Sequence, residues 1–217
     1  MAEHLSTRLA TRLSTHRAML FARPRLAGRA ALAAAGLTAL QLGFGSVGMS
    51  LPGAYDDSTL QLRMVLAAAW AGLAAGSLHS GMSSWEAAGG RRVRRAERAQ
   101  LLAAVVVALG LSGGAELIAA SPASAVVVGR ALLIWWGIAV LSGRLLGRQQ
   151  AWVLPVATIF PLSYLGWDGS GSVRWWNWPW AGPWSAGCWV LVAVSLAVGA
   201  AAWWLTPWRW RALTRRR

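Results

Sequence analysis

The sequence predicts an all-α membrane protein with six spanning helices. Three observations carry this reading: scarce charge, six apolar runs, and arginine placed on one side of them. Charged residues make up 13% of the 217-residue chain and hydrophobic residues 56%, and the mean hydropathy is +0.45. A soluble globular domain carries about 25% charge. A chain with roughly half that leaves large apolar patches facing water. A spanning helix needs ~20 mostly apolar residues. The runs that read as spans are Leu26–Met49, Leu60–Met82, Leu101–Ala120, Ser124–Leu146, Ala151–Leu165 and Ser185–Leu205. The first is too long for the apolar region of a signal peptide, and more than 20 residues precede it, so it is expected to be retained.

Arginine orients the bundle. The chain has no lysine, and 18 of its 21 arginines fall on one side of the spans. They are Arg8, Arg12, Arg17, Arg23, Arg25 and Arg29 at the entry to the first span, and Arg91, Arg92, Arg94, Arg95 and Arg98 between the second and third. Arg144 and Arg148 lie between the fourth and fifth, and Arg209, Arg211, Arg215, Arg216 and Arg217 in the tail. Short loops rich in arginine stay in the cytoplasm. Both termini are therefore expected inside a bacterial cytoplasmic (inner) membrane, in a multi-pass chain. Arg63, Arg130 and Arg174 are the exceptions. Topology and anionic lipid account for the net charge of +14. Nucleic acid is not an expected partner, because no soluble basic module with base-stacking groups accompanies the arginines.

Three segments depart from plain spans. Residues 1–25 form a leader in which Leu5, Leu9, Leu13 and Leu20 fall near one helical face with Arg8 and Arg12 beside it. This is the pattern of an amphipathic helix lying on the inner leaflet. Ser83–Gln100 carries Trp85 and Glu86 ahead of a Gly89-Gly90 break, then an arginine-rich helical start. It reads either as a compact cytoplasmic knob or as a basic, topology-setting loop. The fifth span is short and holds Pro155 and Pro161, which remove backbone donors. It leads into Gly166–Trp184 with Trp167, Trp175, Trp176, Trp178, Trp180 and Trp184. Tryptophan favours the headgroup level, so this is expected to be a re-entrant or interfacial outer cap. Its rings serve as an anchoring belt or as a lid that touches substrate. The domains are then residues 1–25, a transmembrane domain 26–206, and a basic tail 207–217.

Catalytic chemistry is hard to find. There is no phosphate-binding loop of the G-x-x-x-x-G-K-[ST] type and no H-E-x-x-H. His4, His16 and His79 are scattered, and the single Cys188 excludes an intrachain disulfide or a cysteine-based cluster. No catalytic, cofactor-binding or metal-binding residue is assigned, and the chain is not expected to be an enzyme. Two ionisable residues do fall inside spans, Glu116 in the third and Arg130 in the fourth. Their midpoint is Ala123, within the tight Ser121-Pro122-Ala123 turn, so an antiparallel hairpin places them at about one depth. An unpaired charge at a span centre costs ~2.5–3.5 kcal/mol on insertion scales. The expectation is a structural ion pair, with a substrate or proton path as the alternative.

The layout resembles the membrane permease subunits of ATP-binding-cassette (ABC) exporters. The shared features are a basic amphipathic leader, six spans with both ends inside, a charged knob after span two, a kinked fifth span and an outer segment before span six. The wording at Trp85-Glu86 and its following arginines is similar to actinobacterial proteins of that kind. So are Ala151-Trp152-Val153-Leu154-Pro155 and Arg174-Trp175-Trp176-Asn177-Trp178-Pro179. The resemblance implies export of a hydrophobic or amphipathic compound. It also implies a separate cytoplasmic ABC ATPase that carries ATP and Mg and docks at Trp85, Glu86, Arg91 and Arg92, with a second permease copy or a paralogue completing the path. The competing expectations are a non-transporting membrane scaffold that recruits a cytoplasmic partner, and an intramembrane enzyme acting on lipid.

Overall fold

A computed structural model describes residues 27–50, 59–77, 90–168 and 170–205. Six α-helices follow the six apolar runs in order: α1 Ala27–Phe44, α2 Leu62–Gly76, α3 Gly90–Ala119, α4 Pro122–Leu145, α5 Val153–Leu165 and α6 Ala186–Leu205. A 3₁₀ turn, Arg148–Gln150, joins α4 to α5. The expected leader (1–25), Trp85, Glu86, the three histidines and the tail (207–217) lie outside the described residues.

Three stretches are long and apolar enough to cross a membrane: Arg95–Ala119, Pro122–Leu145 and Ala186–Trp204. The shorter α2 and α5 have 15 and 13 residues. The bundle also turns large apolar side chains outward. Leu102, Val106, Val107 and Ile118 on α3 and Val190, Val194 and Val198 on α6 are all exposed. Among the described residues the packed interior is instead rich in alanine, with Trp70, Leu132, Ile134 and Trp135 as its bulk. Apolar surface outside and small residues inside is the arrangement of helices that meet lipid.

The first two helices differ from the expected span boundaries at the end of α1 and the start of α2. α1 stops at Phe44, not Met49, because residues 48–50 leave the helix and pair with residues 59–61. The strands β1 Gly48–Ser50 and β2 Thr59–Gln61 form an antiparallel hairpin, with Met49 opposite Leu60. Gly45 makes the turn: a Cβ there would sit 2.5 Å from the Gln41 carbonyl oxygen. α3 begins earlier than the expected third span. The arginine-rich stretch from Gly90 runs unbroken into it, giving 30 residues, about 45 Å of helix. Arg91 and Arg92 therefore sit in its first turn.

α4 is the centre of the fold and packs against α2, α3, α5 and α6. Its first turn is built by local chemistry. Ser121 caps the helix by accepting a hydrogen bond from the Ser124 N–H at 3.1 Å, and Pro122 occupies the first turn, where no backbone donor is needed. Trp135 Nε1 donates to Thr158 Oγ1 at 3.0 Å and ties α4 to α5. Pro155 falls in the first turn of α5 and Pro161 lies inside it.

α6 lies closest to α4 where side chains are smallest. A Cβ on Gly137 would overlap Ser195, and a Cβ on Gly199 would meet Gly137 O at 3.0 Å. Ser195 Oγ reaches across to Ile134 O at 2.6 Å. Ser195 and Gly199 are four residues apart, the spacing that lets two helix backbones approach in lipid.

These packings bring Arg98 and Arg144 against the end of α6. The Arg98 guanidinium lies 4.0 Å over the Trp204 ring, and that of Arg144 lies 3.7 Å over Trp203. Gln100 Nε2 donates to Ser77 O at 3.0 Å, so the end of α2 and the start of α3 meet there too. Among the described residues, Arg98 and Arg144 thus share one end of the bundle with the α2–α3 approach.

Replacing Gly137 by valine forces α4 and α6 apart. The expected loss is about 1–3 kcal/mol, the usual cost of overpacking, measured by unfolding in detergent. Ser195→Ala, which removes one hydrogen bond and the single Oγ atom facing Gly137, should cost less.

Candidate functional site

At the end opposite the arginine cluster, four helices contribute polar side chains to one buried network. Gln41 on α1, Ser112 and Glu116 on α3, and Trp70 on α2 are each 2% exposed or less. The Gln41 amide donates to Glu116 Oε1 at 3.0 Å and to Ser112 Oγ and O at 3.3 and 3.2 Å. Its own oxygen accepts from Trp70 Nε1 at 3.1 Å. On the other side of the carboxylate, Arg63 NH1 donates to Glu116 Oε2 at 3.2 Å and to Ser124 Oγ at 2.7 Å, and the Ser124 hydroxyl donates to the same carboxylate oxygen. Arg63 Nε is spent on Gly45 O at 3.2 Å, which anchors it at the turn after α1. Three donors thus converge on Glu116. Polar groups in an apolar interior are stable only when so matched.

Glu116 and Arg130 do not form the expected ion pair. Equal depth in a hairpin is necessary for contact but does not set direction around the helix. Ser124, which does touch Glu116, is six residues before Arg130. At 3.6 residues per turn, Arg130 projects about 120° away from it. Among the described residues Glu116 pairs instead with Arg63, an exception to the one-sided arginine pattern.

Arg130 finds a different partner. It is 1% exposed and holds the connection between α5 and α6 through four backbone carbonyls. NH1 donates to Gly182 O at 2.7 Å and Pro183 O at 3.2 Å; NH2 donates to Trp178 O and Ala181 O, both at 2.8 Å. A cation matched to aligned carbonyl dipoles needs no carboxylate, and it fixes a loop that has no helix or sheet of its own.

That connection, residues 166–185, is turn-rich and folds back onto α4. Asn177, fully buried, donates from Nδ2 to Gly166 O at 3.0 Å, and a Cβ on Gly166 would overlap the Asn177 side chain. The expected aromatic cap divides in two. Trp178 is buried edge-on to Trp135 at 6.0 Å, Trp167 meets Trp180 at 6.2 Å, and Trp176 packs on the core. Trp175 and Trp184 stay exposed at 65% and 80%. The first group holds the loop to the bundle, and the second has the exposure of headgroup-level anchors.

Between network and loop lies a cavity of about 350 Å³. Arg63 and Ser124 form one wall, and Trp180, Pro179 and Pro183 the other. The site therefore offers a charged, hydroxyl-bearing wall facing an aromatic one. Its volume is at the lower end of the ~300–1,000 Å³ typical of small-molecule pockets. Sequence reasoning passed over Gln41, Arg63, Ser112 and Ser124. Arg63 had the signal, as one of three arginines off the basic side; a lone amide or hydroxyl in an apolar run has almost none. Among the described residues no group of three histidine, cysteine, aspartate or glutamate side chains could hold a metal.

No protein-family model, curated protein or solved structure matches the chain.

Two outcomes test this geometry. Double-mutant cycles on unfolding should find a coupling of about 0.5–3 kcal/mol between Glu116→Gln and Arg63→Gln. The losses from Glu116→Gln and Arg130→Gln should simply add.

The second outcome concerns Asp168, which lies outside the spanning helices. The Ser170 hydroxyl, then the Ser172 N–H, hydrogen-bond its charged form and hold its pKa below the ordinary value. Oδ1 accepts at 2.7 Å from Ser170 Oγ and at 2.8 Å from Ser172 N. A depressed folded pKa adds stability that is complete above the unfolded value near 4 and is lost as pH falls through the folded value. Corrected amide protection at Ser170 and Ser172 should therefore hold from neutral pH to about 5 and decline below about 4. In Asp168→Asn it should be lower and flat with pH.

Proposed function

We propose that the chain is a six-span permease subunit of an ABC exporter in a bacterial cytoplasmic membrane, with both termini on the cytoplasmic side. A separate ATPase subunit binds ATP and Mg and powers movement of a hydrophobic or amphipathic compound. A second copy of the chain, or a paralogue, completes the pathway. The observation that carries this reading is the Gln41–Glu116–Arg63–Ser124 network with its adjoining cavity. Ionisable groups kept inside an apolar bundle are costly and mark substrate or ion pathways. A network made only for packing has no need to border an open volume. The opposite end of the bundle supports the other half of the proposal. The arginine-rich start of α3 continues directly into a helix long enough to cross the bilayer, so a push on its cytoplasmic end is delivered along a rigid rod. Trp85 and Glu86 precede that helix and, with Arg91 and Arg92 in its first turn, are the proposed contacts to the ATPase.

Trp85→Ala and Glu86→Ala should leave membrane insertion intact, because the topology-setting arginines remain. Each should weaken co-purification with the proposed partner ATPase and lower its stimulated turnover by several-fold. Arg91→Gln with Arg92→Gln should matter less. Full association and turnover in both single variants would put the scaffold reading ahead.

A further inference from the structure

A second cavity runs from the basic half of the bundle up to the network, with which it shares Trp70. It runs between α1, α2 and α3 with a volume of about 590 Å³, and nine of its fourteen lining residues are alanine. Methyl side chains leave an open trough where leucines would have closed it. The wall is almost wholly apolar, and its polar members are already engaged. Trp70 Nε1 donates to Gln41, and Gln100 Nε2 donates to Ser77 O. Such a wall offers an occupant contact area but no hydrogen bonds.

Length and charge identify that occupant. The trough follows α3 from Ala96 to Val107 and Ala108, about 18 Å of helix. One leaflet is half of a ~30 Å hydrocarbon core, so the trough is as long as a leaflet is thick. It begins at the basic end: Arg29 and Arg95, both exposed, immediately precede the lining residues Ala30 and Ala96. Arg98, by contrast, is engaged with Trp204. An apolar slot one leaflet deep with exposed cations at its headgroup end matches an anionic phospholipid. The leader is the other candidate occupant, but its Arg8, Arg12, Arg17, Arg23 and Arg25 would bring like charge to a cationic mouth. We infer that the trough between α1, α2 and α3 seats one acyl chain of an anionic phospholipid of the inner leaflet, with its phosphate at Arg29 and Arg95. This rests on the membrane reading and is independent of whether the protein transports anything.

The test is native mass spectrometry of the full chain, delipidated and then offered phosphatidylglycerol or phosphatidylcholine with identical acyl chains. The expected result is one retained phosphatidylglycerol per chain, preferred by about tenfold or more, since each arginine at a surface contributes to anionic-lipid attraction. Arg29→Gln with Arg95→Gln should bring the preference close to one while retention of phosphatidylcholine is unchanged. Ala103→Trp, which fills the trough, should remove retention of both lipids. Equal retention of the two lipids by the unaltered chain would overturn the proposal, as would undiminished retention in Ala103→Trp. Disulfide cross-linking provides a further check. With Cys188→Ser, a Leu13→Cys and Ala103→Cys pair that cross-links in high yield would place the leader in the trough and overturn the lipid assignment.

Discussion

A buried charge must be answered by its surroundings, and the half of this bundle away from Arg98 and Arg144 is arranged around two of them. Glu116 is met by Arg63, Ser124 and Gln41, drawn from three other helices. Arg130 is met by four carbonyls of one loop. Removing either centre leaves donors or acceptors stranded in an apolar interior, where each costs about 1–3 kcal/mol and more when charged. The network therefore sets where α1 ends, how α2 begins, and how the α5–α6 connection lies over α4. Apolar packing alone specifies such positions weakly, because lipid solvates apolar side chains as well as protein does.

The two solutions to charge burial differ in kind. The Glu116 cluster joins side chains from separate helices, so it reports their mutual position and opens to a cavity. The Arg130 cluster joins a helix to a backbone. It turns a connection with no regular structure of its own into a fixed wall of that cavity, closed further by Trp178 against Trp135 and by Asn177 against Gly166. One residue supplies chemistry to the pocket, and the other supplies its shape.

The basic end follows a different logic. Among the described residues, Arg98 and Arg144 lie over tryptophan rings at the end of α6. A guanidinium stacked on an aromatic face stays near water and is still held in place. The alanine-lined trough reaches this same end, so charged and apolar features coincide there.

Composition and periodicity by themselves determined the six helices and their order. The tight turn at Ser121-Pro122, the short proline-bearing α5 and the one-sided arginines were also legible, because each depends on residues within a few positions of one another. Glu116 and Arg130 were legible as buried charges, since an ionisable residue in an apolar run stands out wherever it falls. Their partners were not. Depth along a hairpin can be counted from the turn, but the direction in which a side chain leaves its helix relative to a neighbour depends on how the helices are rotated and packed. The small-residue contact of Gly137 with Ser195 and Gly199 sets part of that packing, from positions almost sixty residues apart. Only the tertiary structure could therefore give Glu116 to Arg63, Arg130 to the loop carbonyls, and an open trough to a row of alanines that in sequence reads as ordinary helix.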